Sequence, residues 1–149
     1  MIDNIGVGGV FTVRKKDRTE YSINNLIMDT VLNKMAETLR GVAPDIQIKY
    51  LAVGTDNTPV TASDTTLGTE VFRTAVTTSE TTGNGIVQHS FVIFDNEAVA
   101  NLKEMGVFGG AAATGSADTG TLISRILFDE DKTSDEELNI LYTNTILRK

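Results

Sequence analysis

One stretch of the chain, and only one, repeats its apolar residues at helical spacing. Across residues 24–40, Ile27, Met28, Val31, Leu32, Met35 and Leu39 fall three and four apart and make a single apolar face. Asn24 or Asn25 offers a side-chain cap at its start, and Gly41 a left-handed stop. After Pro44 the pattern changes to short extended runs separated by turn clusters, so the chain must be mainly β with one amphipathic helix. At 149 residues it is expected to form a single domain, and a domain of that length buries roughly 68–70% of the surface its unfolded chain exposes.

Residues 6–13 begin glycine-rich and end β-branched and aromatic, as a strand with a permissive start does. The charged Arg14-Lys15-Lys16-Asp17-Arg18 is read as a solvated turn into a second strand at residues 19–23, so residues 1–23 form a hairpin or an extending arm. Residues 46–53 alternate, with Ile46, Ile48 and Tyr50 on one face, before the turn at residues 54–59. Further strands are expected at residues 70–78, 86–94, 102–108, 122–128 and 138–147. Between them lie the turn cluster at 79–85, a Gly/Ala/Ser/Thr loop at 109–120 with side chains too small to build a core, and a charged turn at 129–137. The expected architecture is an antiparallel β-sandwich with Greek-key or jelly-roll-like connections; strand order is not legible.

Chemistry-bearing residues are sparse. There is no cysteine, hence no disulfide, thiolate ligand or thiol nucleophile. The single histidine, His89, alternates with Phe91 and Ile93 and is read as a packed or surface residue, not as a base or ligand. Asp129-Glu130-Asp131, Asp135-Glu136-Glu137, and Asp56-Asn57 with Asp64 supply oxygens of the kind Ca²⁺ takes, yet none follows the EF-hand spacing, and they read as solvated turns. Gly6-Val7-Gly8-Gly9 lacks the third glycine of a dinucleotide loop, and no P-loop sequence is present. With no Trp and nine Phe and Tyr residues, a sugar-lined cleft between paired carboxylates is disfavoured. The expectation is a non-enzyme without cofactor or metal. A net charge of −7 works against direct nucleic-acid binding, and no apolar run approaches the ~20 residues that cross a bilayer.

Four segments stand in a particular order: the apolar helix ending at Gly41; Tyr50-Leu51-Ala52-Val53-Gly54-Thr55-Asp56-Asn57-Thr58-Pro59; Thr66-Leu67-Gly68-Thr69-Glu70-Val71-Phe72-Arg73; and Ser124-Arg125-Ile126-Leu127-Phe128 before residues 132–138. Glu104-Met105-Gly106-Val107-Phe108 completes the set. This order resembles the small structural proteins of tailed-bacteriophage virions, those of tail, neck or collar, fibre and baseplate, and the likeness runs from about residue 20 to residue 147. The resemblance implies a protein made in the host bacterial cytoplasm and incorporated into the virion, where it oligomerises or anchors fibres by contact with other virion proteins. The alternative is a module that binds host-surface glycans or decorates the capsid. Interaction residues are expected on the N-terminal strand, at Gly8, Gly9, Val10 and Phe11, and on the two loops, at Thr55, Asp56, Asn57, Gly109, Gly110 and Ala111. Glu70 and Arg73 are expected to be structural partners, not reactive groups.

Overall fold

A computed structural model describes residues 4–42 and 45–149; the start of the expected arm, residues 1–3, and the break at residues 43–44 lie outside them. The fold is an antiparallel β-sandwich of two five-stranded sheets. One sheet, A, has the order β2(Glu20–Asn24), β1(Ile5–Lys15), β10(Leu138–Arg148), β7(Ile86–Ile93), β6(Thr78–Gly83). The other, B, has the order β3(Leu26–Ile27), β9(Thr121–Lys132), β8(Ala100–Gly109), β4(Ile48–Gly54), β5(Glu70–Ala75). Between the sheets the alternating residues Phe11 and Val13 of β1, Phe91 and Ile93 of β7, and Ile140 and Tyr142 of β10 meet Leu51, Val53, Met105, Val107 and Ile126 of sheet B. His89 shares that inward face as alternation requires, and its Nδ1 lies 2.7 Å from the Ser79 hydroxyl on β6.

The glycine-rich start of β1 is no free arm. β1 pairs with β10 along its whole length, from Ile5 with Arg148 to Lys15 with Leu138, and with β2 from Val10 to Arg14. Gly9 is required there, because a Cβ at that position would stand 2.5 Å from the Asn25 side chain. Asn25 crosses over β1 into the interior, where its Nδ2 donates to the Ser124 hydroxyl and, at 2.7 Å, to the Tyr142 phenol. Burial pushes that phenol up to about 12, against the lowering effect of its hydrogen bonds to Ser124, Asn144 and Asn25.

The helix, α1(Asp29–Leu39), starts later than the apolar period suggests. β2 ends at Asn24 and β3 takes residues 26–27, with the Asn25 side chain between them bonded to Ser124 and Tyr142, so neither asparagine caps it; Met28 holds the cap position with no side-chain hydrogen bond. The stop is as expected, with Gly41 at φ +91°. Of the apolar face, Val31 is buried and Met35 half-buried, while Leu32 and Leu39 are exposed. α1 therefore closes one end of the sandwich incompletely, beside the start of β1 and the last residues of β10. We term this the helix end. At the opposite, hairpin end gather the β1–β2 turn, the loop from β7 to β8 and the turn from β9 to β10.

Two further expectations are corrected. A register shift between Ile48 and Tyr50 places Ile48 inward beside Ile46 but turns Tyr50 outward, so the three do not share a face. The charged stretch after Phe128 is not a solvated turn throughout, since β9 continues to Lys132 and buries Glu130 and Lys132. Glu130 accepts hydrogen bonds from Tyr21 at 3.2 Å and pairs with Lys15 at 2.8 Å; Lys132 donates to the carbonyls of Phe94 and Asp95 at 2.9 and 3.0 Å. Part of the basic tip is thus folded onto the chain's own acids, with Arg14 paired to Glu20.

Candidate functional site

The two sheets differ on their outer faces. That of sheet A is open and lined by small polar pairs, Thr12 with Ser22, Thr78 with Ser90, and Gln88 with Thr143. That of sheet B is covered by the loops 55–69 and 109–120. Register brings Tyr50, Ala52 and Gly54 of β4 beside Phe108, Gly106 and Glu104 of β8, and beside Ala75, Arg73 and Glu70 of β5. On this small-centred floor Leu67 packs 3% exposed, and a Cβ on Gly106 would meet Leu67, Leu122 and the Ser124 carbonyl at 2.8–3.0 Å.

Loop 55–69 is fixed by a buried carboxylate and guanidinium. Glu104, fully buried, accepts the backbone N–H groups of Gly68 at 2.8 Å and Thr69 at 2.7 Å on its two oxygens. Arg125, 3% exposed, gives Nε to Glu104 at 2.9 Å, a terminal nitrogen to Asp64 at 3.0 Å, and another to the Thr58 carbonyl at 3.1 Å. Each charge is thus spent on the loop's own backbone and side chains, the condition under which a buried pair is tolerated. Burial pulls the Asp64 carboxyl upward, but hydrogen bonds from Thr61 and Arg125 overcome it and hold the group below its ordinary value. Asp56 is likewise lowered, by the hydroxyl and N–H of Thr58, and caps a tight turn.

Loop 109–120 is fixed by the second pair. Arg73 and Glu70, each with a side chain 2% exposed, form a two-pronged contact at 2.7 and 2.9 Å. The remaining Arg73 nitrogen donates to the carbonyls of Thr114 at 3.0 Å and Thr119 at 2.8 Å, and Glu70 accepts the Asp118 N–H at 3.0 Å. The guanidinium lies over the Phe108 ring, 4.2 Å from its centroid, and over that of Tyr50 at 5.7 Å. The loop is no loose small-residue segment: Gly109, Gly110 and Ala113 are buried, and Gly110 and Gly120 take φ of +86° and +87°. Both ion pairs have their hydrogen-bonding groups turned onto the two loops. What the arrangement does is hold two long loops rigid on one sheet.

The expected interaction residues fall in three places. Gly8 is exposed and Val10 half-buried on sheet A, whereas Gly9 and Phe11 are buried in the interior. Thr55 and Asn57 are exposed on the first loop, with Asp56 half-buried against Gly68; Ala111 is exposed on the second, with Gly109 and Gly110 buried beneath it. The structure brings Thr55–Asn57 and Ala111 to one face and leaves the β1 residues on the other sheet. Missed in the sequence were Glu104 and Arg125 as partners. Glu104 as the single acid of the run 102–108 and Arg125 as the single base of the run 122–128 were the available signal. Among the described residues no three acidic or histidine side chains are placed to hold a metal ion. No family model, curated protein or solved structure matches the chain.

Proposed function

We propose that this chain is a non-enzymatic structural component of a tailed-bacteriophage particle, at the tail, neck or baseplate, where it meets other virion proteins through the rigid loop face of sheet B. One observation supports this reading above the others. The separate segments that carry the resemblance to virion proteins, Gly54-Thr55-Asp56, Leu67-Gly68-x-Glu70…Arg73, Glu104-x-Gly106-x-Phe108 and Ser124-Arg125, are the segments whose side chains interlock on that face. Their shared role is structural: Glu104, Arg125, Glu70 and Arg73 are all consumed in anchoring backbone. What they present outward is a surface of Thr55, Asn57, Thr58, Thr61, Ala111, Ala112 and Ser116, short side chains on pre-ordered backbone. Such a surface loses little rotamer or loop entropy on contact, which suits a protein that joins its neighbours at fixed geometry.

Electron microscopy of purified particles labelled with an antibody to this chain tests the proposal. Label at the tail, neck or baseplate is the expected result. Label over the capsid would transfer the chain to decoration, and particles without label would remove the virion reading.

A further inference from the structure

The exposed apolar side chains divide unevenly between the two ends of the sandwich. At the helix end, Ile5, Leu32, Leu39, Val42, Ile146 and Leu147 are between 45% and 89% exposed. At the same end a mainly apolar cleft of about 150 Å³ opens between α1 and the ends of β1 and β10, lined by Val7, Val31, Met35, Ile46 and Ile146, with Asn144 as its polar residue. At the hairpin end the exposed apolar groups are Phe94 and Val99, each 53% exposed, on the loop between β7 and β8. An apolar cavity of about 150 Å³ accepts a benzene ring. The cleft therefore matches the side chain of Phe94, which a single copy cannot reach because β1 alone, 11 residues long, holds the two ends roughly 35 Å apart.

Phe94 is also presented rigidly. Its N–H donates to the Glu97 carboxylate at 3.0 Å, its carbonyl accepts the Glu97 N–H at 3.0 Å and the buried Lys132 ammonium at 2.9 Å, and Ala98 takes the left-handed conformation, φ +48°, that closes the loop. Charge matches as well. Residues 29–42, 45–49 and 144–149 of the helix end carry five cations and three carboxylates, whereas residues 14–20, 94–103 and 129–137 of the hairpin end carry six cations and ten carboxylates.

We infer that copies of this chain associate head to tail, the Phe94 ring of one seating in the apolar end cleft of the next. The acidic hairpin end then faces the more basic helix end of its neighbour, so association weakens as salt rises. Because the two surfaces differ, the contact is heterologous and propagates into a ring or a filament, not a closed two-fold dimer. The inference stands on the two ends of the sandwich and uses none of the exposed loop residues named above, so its failure leaves the particle reading in place, just as unlabelled particles would leave self-association in place.

Sedimentation of the full chain against concentration, at low and high salt, reads it directly. The wild type is expected to gain mass with concentration, most strongly at low salt. Phe94→Ala, an exposed change that leaves the core intact, should weaken association by roughly 10–100-fold, as removal of a buried phenyl does. Met35→Trp, or Ile146→Trp should the first disturb folding, fills the cleft and should do the same. Mixing Phe94→Ala with the cleft-filled variant leaves one working contact and should give a species of two chains that grows no further. A wild type that stays monomeric throughout, a Phe94→Ala protein that assembles like the wild type, or a mixture that forms no pair would each overturn the inference.

Discussion

Glu104 and Arg125 show how narrow the tolerance for a buried charge is. Replacing Arg125 with Met leaves the Glu104 carboxylate inside the protein with only two backbone N–H partners, and should destabilise by about 3–5 kcal/mol in urea unfolding. Adding Glu104→Gln removes the stranded charge, so the double variant should recover part of that loss; additive losses would mean that the two side chains act independently. His89 supplies a different signal, in pH. Burial holds its imidazole below the ordinary value, so between about pH 6.5 and its lower folded value the unfolded chain binds the extra proton and the folded chain does not. Stability should therefore fall as pH drops from about 7 through that window, and His89→Gln should flatten it there. A second fall, nearer pH 4 and below, belongs to Asp64. Its lowered carboxyl contributes stability above its unfolded value of about 3.9, which is lost as pH falls through the folded one. The variant at His89 should retain this second fall.

Among the elements, loop 109–120 is the one whose order depends most on a single side chain. Arg73→Ala removes its bonds to Thr114 and Thr119 and uncovers Phe108. Limited proteolysis should then cut within residues 111–119 at least roughly tenfold faster, about 1.4 kcal/mol of local opening, while the β-sheet circular dichroism persists. Unchanged cleavage would show that the buried glycines and Ala113 hold the loop without it. The expectation that this loop packs no core came from its small side chains, and small side chains are what allow it to lie flat on the sheet under an arginine. A similar limit governs α1. Apolar spacing across residues 24–40 correctly announced a helix and Gly41 its stop, but Ile27 and Met28 belong to the sheet crossing that precedes it, and a strand of two residues has no period to read. The sandwich itself was legible because its inward residues alternate on β1, β7 and β10; the continuation of β9 through Asp129-Glu130-Asp131-Lys132 was not, since Glu130 and Lys132 face inward with partners supplied by Lys15, Tyr21 and the 94–95 backbone. Sequence shows a charge but not the distant group that neutralises it.

For the whole molecule, the position of β1 between β2 and β10 makes the expected hairpin or arm part of the frame of sheet A. Deleting residues 1–12 should abolish cooperative thermal unfolding, since β10 would lose most of its ladder on one side and the core would lose Phe11. A truncated chain that still melts cooperatively would return β1 to the role of an appendage. β10 has the larger consequence, and it is one of timing. It lies between β1 and β7, yet it follows every other described strand along the chain, and its ladder with β1 joins residues as remote as Ile5 and Arg148. Until β10 has been made, sheet A exists only as two separate hairpins, β1–β2 and β6–β7, each with an open flank. Closure of this fold thus waits for residues 138–148 and is governed by long-range loop entropy, with refolding expected on the slow, roughly millisecond-to-second scale of non-local β-sandwiches. A nascent chain lacking its last eleven-residue strand is in effect a protein with two unguarded edges, open to pairing with whichever strand arrives first.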